Sequence, residues 1–100
     1  MELADKTILI TGGGGGIGAA MGRVFCDHGS RVVLADINGE RAANAAARLG
    51  PNGRGLVLDV TSKESWRALS EELDEIDILC CNAGVGHSSP VEDFDAESSR

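Results

Sequence analysis

Three observations in the amino-acid sequence predict an α/β protein with a doubly wound parallel sheet. Four short apolar runs alternate with three segments of helical spacing, and this alternation favours parallel strands joined by helices. The runs are almost continuously apolar, as is typical of strands that helices cover on both faces. The third observation is a run of five glycines at 12–16, which separates the first predicted strand from the first predicted helix.

The first βαβ unit has the clearest pattern. KTILIT (6–11) is predicted to be a buried strand, and RVVLAD (31–36) a second one. The segment 16–28 between them has helical spacing, and Gly29 is expected to end that helix. Four apolar side chains of the helix fall on one stripe, which is expected to face the core: Ile17, Met21, Val24 and Phe25.

Further helices and strands complete the order βαβαβαβ. Their predicted bounds are 40–49 for the second helix, 55–60 for the third strand and 76–81 for the fourth strand. Asn38 is expected to cap the second helix, and Thr61 or Ser62 the third, which carries Trp66, Leu69 and Leu73. The segment 91–100 is predicted to begin another helix.

Right-handed connections limit the topology of such a chain. They put the first two helices on one face of the sheet and the third helix on the other. The expected strand order is 3-2-1-4, with a ligand crevice at the carboxyl ends of strands 1 and 4. The fourth strand then has an exposed edge, which predicts a marginally stable chain that tends to self-associate.

Charge and cysteine content exclude several classes of protein. The formal net charge is −7, and all of it arises in residues 51–100, which hold eleven acids and four bases. Without a basic patch, we expect no binding to nucleic acid. Three cysteines without a C-x-x-C pair favour neither a disulfide framework nor a metal site, and fit a cytoplasmic protein. No segment resembles a signal peptide or a membrane span, so no membrane association is expected.

The glycine run is expected to bind the phosphates of a dinucleotide. Between a strand and a helix, glycines let the backbone approach a pyrophosphate, and the helix amino terminus supplies free N–H groups. Three patterns fit the run: G-x-G-x-x-G from Gly13, and T-G-x-x-x-G-x-G or T-G-x-x-G-x-x-G from Thr11. Spacing alone does not choose among them, and a flexible loop without a ligand is the alternative.

An acid at the end of the second strand strengthens this interpretation. Asp36 follows Gly18 by 18 residues, and a carboxylate there can accept both hydroxyls of an adenosine ribose and repel a 2′-phosphate. Because Ile37 rather than an arginine comes next, NAD is favoured over NADP. Two alternatives stay open: Asp36 only caps the following turn, or Arg41, one turn further on, reaches a phosphate.

With these residues the chain resembles the short-chain dehydrogenase/reductase family over essentially its whole length. The glycine loop from Thr11 matches the family's cofactor loop, Asp59-Val60 the end of the third strand beside the adenine, and Asn82-Ala83-Gly84 the floor of the cofactor cleft. The last motif favours the dehydrogenase/reductase branch over the epimerase-like branch. Two features depart from the family: Cys81 replaces the first asparagine of N-N-A-G, and the stretch from 59 to 82 is about one helical turn shorter.

The resemblance implies that residues 1–100 are the N-terminal part of an NAD(P)-binding, Rossmann-like domain. The expected cofactor-binding residues are Gly12, Gly14, Gly15, Gly16, Ile17, Gly18, Asp36, Ile37, Asp59, Val60, Asn82, Ala83 and Gly84. The family transfers a hydride between nicotinamide and an alcohol or ketone with the help of a serine, a tyrosine and a lysine. This chain has no tyrosine, so no catalytic residue is assigned and the chain alone is expected to be inactive.

Three functions stay open. The first is an NAD-dependent oxidoreductase whose cofactor-binding half is this chain, with the catalytic half beyond Arg100; complete, it is expected to be a homo-oligomer acting on a small alcohol or ketone. The second is a truncated protein that binds a dinucleotide or a partner without catalysis. The third is another user of this fold, such as a methyltransferase or an epimerase.

Overall fold

The computed structural model describes residues 3–82 and confirms the predicted order of elements. The strands are β1 (Thr7–Thr11), β2 (Arg31–Asp36), β3 (Gly53–Val57) and β4 (Ile78–Cys81). The helices are α1 (Gly16–Asp27), α2 (Gly39–Ala47) and α3 (Lys63–Glu72). Ala83, Gly84 and the helix predicted at 91–100 lie outside the described residues.

The sheet is parallel, and its order β3-β2-β1-β4 is the predicted one. Strand β1 lies between β2 and β4, with Thr11 opposite Ala35 on one side and Cys81 on the other. The carboxyl ends of β1, β2 and β4 therefore meet at one edge of the sheet, where the strand order reverses.

The core has two layers, one on each face of the sheet. Helices α1 and α2 cover a cluster of Ile8, Ile10, Val32, Leu34, Ala45, Ala46 and Leu49. Helix α3 covers the other face, where the cluster is Leu9, Val33, Ala35, Leu58 and Leu69. Successive strand residues alternate between the two clusters, as the pleat requires. The predicted distribution of the three helices is thus confirmed.

The prediction for the inner face of α1 was partly wrong. The side chains of Ile17 and Val24 are 59% and 53% exposed, whereas Gly18 and Gly22 are buried. A Cβ on Gly22 would lie 3.2 Å from the Leu34 side chain and 3.3 Å from that of Val32. The helix approaches the sheet through its glycines, and Met21 and Phe25 pack beside them.

Strand β3 begins and ends earlier than the predicted range of 55–60. Two glycines at its start lie beneath α2: a Cβ on Gly53 would be 2.7 Å from the Ala46 carbonyl oxygen, and one on Gly55 would be 2.6 Å from that of Ala42. Only glycine at these two positions lets α2 lie so close to the strand. Asp59 and Val60 consequently follow β3 rather than end it, although the Leu58 N–H still donates to the Asp36 carbonyl (2.9 Å).

The helix ends follow the predicted caps. The side chain of Asn38 accepts a hydrogen bond from the Arg41 N–H (3.0 Å), and that of Ser62, rather than Thr61, accepts one from Ser65 (3.1 Å). Gly29 ends α1 with a φ of +89°, a conformation that glycine adopts readily. Within residues 3–82, no helix is both long and apolar enough to cross a membrane.

Candidate functional site

The glycine loop joins β1 to α1 through a tight turn. Gly12 has a φ of +69°, which favours glycine at that position. The Gly13 N–H donates to the Ala35 carbonyl (3.0 Å), and the Gly15 N–H donates to that of Gly12 (3.2 Å). The loop is therefore held against β2 by its own backbone.

The glycines of the loop differ in what surrounds them. A Cβ on Gly13 would lie 2.7 Å from Leu34 Cβ, and one on Gly18 would lie 2.7 Å from Gly13 Cα. By contrast, a Cβ on Gly15 would meet only the Gly12 carbonyl at 3.6 Å, and one on Gly16 nothing within 4 Å. Packing therefore requires Gly13 and Gly18, whereas Gly15 and Gly16 border open space. The sequence did not distinguish Gly13 from its neighbours, because five identical residues give no signal of which one is packed.

The amino terminus of α1 differs from those of the other two described helices. Asn38 and Ser62 cap α2 and α3 with their side chains, and Glu40 and Glu64 lie in the first turns. Helix α1 has Gly15 at its N-cap, no side-chain cap and no acid in its first turn. Its first N–H groups lack intrahelical partners, and the positive end of its dipole faces the open space beside Gly16.

Asp36 ties the glycine loop to the end of β2. Its side chain is 4% exposed, and Oδ2 accepts a hydrogen bond from the Gly14 N–H (3.0 Å). Oδ1 accepts from the Asn38 N–H (3.0 Å), so the carboxylate also caps the turn that follows. Nη2 of Arg41 lies 3.5 Å from Oδ2. Both features that the sequence left open are therefore present: the turn cap and a nearby arginine.

Asn82 brings the end of β4 against the same loop. Its N–H donates to Oγ1 of Thr11 (3.1 Å) and to the Thr11 carbonyl (3.2 Å). Its side-chain nitrogen would lie 3.3 Å from a Cβ on Gly18. The structure thus brings together the glycine loop, Asp36 and Asn82, which are far apart in the sequence.

Asp59 and Val60 follow β3, which pairs with the strand that ends at Asp36. Oδ1 of Asp59 accepts hydrogen bonds from the Thr61 hydroxyl (2.6 Å) and N–H (3.0 Å), which lower the pKa of the Asp59 carboxyl. The Val60 carbonyl accepts from Nε1 of Trp66 (3.0 Å), so this turn is fixed to α3.

Three of the expected site residues present apolar side chains to solvent: Ile17 (59% exposed), Ile37 (69%) and Val60 (42%).

Other features of the described residues give less evidence for a binding site. An open groove at the opposite, amino-terminal edge of the sheet includes the ion pair between Arg54 and Glu72 (2.6 Å), but none of the expected site residues. Among residues 3–82, no group of three or more His, Cys, Asp or Glu side chains is arranged to hold a metal ion. Cys26, Cys80 and Cys81 are free thiols, and burial raises the pKa of the first two.

A parallel sheet whose strand order reverses beside a glycine loop defines a Rossmann-like protein. The family model described as short chain dehydrogenase matches residues 6–100. The chain is 42% identical to sorbitol dehydrogenase of Cereibacter sphaeroides and 37% identical to galactitol 2-dehydrogenase of Agrobacterium fabrum, each over 98% of this chain and 40% of the relative. The chain belongs to the short-chain dehydrogenase family, which confirms the resemblance seen in its motifs. It spans about 40% of the length of these curated relatives.

Solved structures share the fold. The complex of Pseudomonas aeruginosa RhlG with NADP superimposes with a TM-score of 0.73 at 32% identity, over 83% of this chain and 36% of that one. The 3-ketoacyl-(acyl-carrier-protein) reductase of Brucella melitensis, complexed with NADH, gives a TM-score of 0.69 at 28% identity, over 77% and 34%. These two relatives hold different dinucleotides, one with and one without a 2′-phosphate.

Proposed function

We propose that this chain binds NAD at the carboxyl ends of β1, β2 and β4 and is the cofactor-binding part of an oxidoreductase. The observation that carries the proposal is the amino terminus of α1, which has no side-chain cap and faces open space beside Gly15 and Gly16. Uncapped N–H groups at a helix amino terminus are suited to a pyrophosphate. The side-chain caps on α2 and α3 make those helix ends less suitable for binding a pyrophosphate.

The remaining expected residues fit the other parts of the dinucleotide. The Asp36 carboxylate, oriented by the Gly14 and Asn38 N–H groups, can accept the adenosine ribose hydroxyls. Ile37 and Val60 can bury their exposed apolar surface against the adenine, and Ile17 can do the same at the helix start. Asn82, with Ala83 and Gly84 after it, would form the floor of the cleft. The bound nicotinamide would supply the hydride acceptor or donor.

NAD is the proposed cofactor because Asp36 carries a buried negative charge where a 2′-phosphate would enter. Two like charges in a partly buried site repel each other strongly. The structural relatives hold both kinds of dinucleotide, so the preference rests on Asp36.

We further propose that these 100 residues bind the dinucleotide without turnover. They contain no tyrosine, and the family's chemistry needs one with a cation beside it to lower its pKa. In a longer, cytoplasmic protein, residues beyond Arg100 would supply the serine, tyrosine and lysine and would form a homo-oligomer. The names of the curated relatives, sorbitol dehydrogenase and galactitol 2-dehydrogenase, are consistent with a small alcohol or ketone as substrate.

Trp66 makes the proposal directly testable. It is the only tryptophan, there is no tyrosine, and its ring nitrogen bonds to the backbone of Val60. Titration with NADH should quench Trp66 emission, excite NADH fluorescence by energy transfer, and saturate. NAD should displace NADH. Absence of saturable energy transfer in the folded chain would contradict the proposal.

A matched pair of variants on α1 locates the binding. Gly16→Asp puts an acid at the helix amino terminus, which favours the helix but repels a pyrophosphate, so NADH binding should be lost while the fold persists. Ala20→Asp adds the same charge at an exposed position one turn further along α1 and should retain binding. Equal binding by Gly16→Asp and the unmodified chain would exclude this helix end as the phosphate site.

A further inference from the structure

Arg41 occupies a position that α2 itself does not favour. It is the third residue of that helix, where a cation meets the positive end of the helix dipole. Its N–H donates to the Asn38 cap (3.0 Å), so its backbone is fixed there. The helix dipole therefore does not favour a positive charge at this position. The contacts of the Arg41 side chain provide another explanation for it.

The Arg41 side chain lies across the glycine loop towards Asp36. A Cβ on Gly14 would be 3.1 Å from both Cβ and Cγ of Arg41, and 2.8 Å from Oδ2 of Asp36. The guanidinium Nη2 is 3.5 Å from the same oxygen. The Arg41 side chain is 59% exposed and that of Asp36 is 4% exposed. Arg41 is therefore the solvent-facing partner of a buried carboxylate.

Arg41 therefore lies at one acceptor position of Oδ2 of Asp36, at the long distance of 3.5 Å. A carboxylate oxygen has two lone pairs, and here the Gly14 N–H and the Arg41 guanidinium are directed at them. A ribose hydroxyl that donates to Oδ2 competes with this contact to Arg41. The pair therefore opposes the binding of an unphosphorylated ribose.

A 2′-phosphate would experience the opposite effect. Asp36 repels the phosphate, but the guanidinium beside it attracts it and can donate two parallel hydrogen bonds to its oxygens. We propose that Arg41 is a specificity-determining residue that narrows the preference for NAD over NADP, by competing for Asp36 and by offering a partner to the 2′-phosphate. This inference rests on the proposed function, because it concerns the same dinucleotide site.

The test compares the affinities for NADH and NADPH, measured by energy transfer from Trp66, in three variants of the chain. Arg41→Gln removes the charge and should raise the ratio of the NADPH Kd to the NADH Kd by about two- to fivefold, the scale of one partly exposed charge pair. Arg41→Lys retains a cation but not the two parallel hydrogen bonds, so its ratio should lie between those of the unmodified chain and Arg41→Gln. Arg48→Gln removes the same charge from the exposed opposite end of α2 and should leave the ratio unchanged.

The outcomes distinguish failure of this inference from failure of the proposed function. If the unmodified chain binds NADH but Arg41→Gln alters the ratio by less than about twofold, the role of Arg41 is overturned and the proposed function stands. Equal weakening of both dinucleotides in Arg41→Gln would mean that Arg41 only supports the loop, and would also overturn it. If the unmodified chain binds neither dinucleotide, the proposed function fails and this inference fails with it.

Discussion

Gly13 and Gly16 stand three residues apart in the same loop, yet their α-carbons face different surroundings. A side chain at Gly13 would collide with Cβ and Cα of Leu34, at 2.7 and 2.8 Å, and neither atom can rotate away. A side chain at Gly16 would extend into open space. Packing therefore requires a glycine at position 13, whereas it leaves room for a side chain at position 16.

Alanine substitutions should separate these two roles. Gly13→Ala should lower the free energy of unfolding by about 1–3 kcal/mol, the usual effect of overpacking a rigid contact. Gly16→Ala should preserve the free energy of unfolding or raise it by up to about 1 kcal/mol, because alanine restricts the unfolded chain and suits the helix. If the proposed site is correct, it should nevertheless weaken NADH binding, because the methyl group would occupy the space proposed for the phosphates. Urea denaturation and NADH titration measure the two effects. A stable Gly13→Ala variant, or unchanged NADH binding by Gly16→Ala, would contradict this division.

Single residues also show which features of the candidate site could be predicted from the sequence and which could not. Asp36 was identified by its distance from the glycine loop, since strand and helix lengths determine where the second strand ends. Its hydrogen bond to the Gly14 N–H depends on the path of the loop backbone, which five identical residues do not encode in any visible pattern. The contact between Arg41 and Gly14 has the same origin, because it requires α2 to be positioned above the loop.

At the scale of elements, the three helices begin in different ways. Helix α3 begins at a serine cap whose Oγ accepts a hydrogen bond from the Ser65 N–H (3.1 Å). Such a bond satisfies one of the donors that a helix start leaves free. Because the Asp59 N–H in turn donates to the Ser65 hydroxyl (2.9 Å), this cap also fixes the turn that carries Asp59.

Removal of the α3 cap should therefore destabilise the fold. Ser62→Ala should lower the free energy of unfolding by about 1 kcal/mol. Ser70 is the matched control, because it lies inside the same helix and is exposed, and within residues 3–82 its hydroxyl donates only to the carbonyl of Arg67, three residues earlier. Ser70→Ala should change the free energy of unfolding by no more than about 0.5 kcal/mol. Urea denaturation of both variants tests this, and similar losses in the two would show that the cap contributes nothing specific.

The elements were predicted correctly where side chains form the sequence pattern, and less well where glycines make the contacts. The caps at Asn38 and Ser62 were expected from residue type and proved correct. The inner face of α1 and the start of β3 were missed, because Gly18, Gly22, Gly53 and Gly55 make their contacts through the absence of a side chain. A hydrophobic pattern counts side chains, so it cannot detect a close approach of two backbones.

At the scale of the whole molecule, the strand order was predicted from the doubly wound arrangement together with right-handed connections. Two right-handed connections carry the chain outward from β1 through β2 to β3, and the third returns it to the opposite side of β1. This path puts α3 on its own face of the sheet. It also makes β4 the outer strand of the described sheet, with no strand neighbour beyond it among residues 3–82.

The edge at β4 carries exposed apolar surface. Leu79 lies opposite Leu9 in the sheet, but Leu9 is fully buried whereas Leu79 is 50% exposed. Ile76, just before the strand, is 39% exposed. An edge with free backbone groups and apolar side chains favours pairing with another chain. The 100-residue chain should therefore self-associate through β4, and sedimentation velocity at increasing concentrations should detect it.

A lysine at this edge should keep the chain monomeric. Leu79→Lys puts a charge beside the free backbone groups, a common way in which natural sheets prevent edge pairing. Val24→Lys is the control, since Val24 is similarly exposed (53%) but lies on α1, and it should still self-associate. Either lysine reduces the net charge from −7 to −6, so a monomeric Leu79→Lys variant would not result from greater overall repulsion. A monomeric unmodified chain, or equal dissociation by both variants, would exclude β4 as the contact.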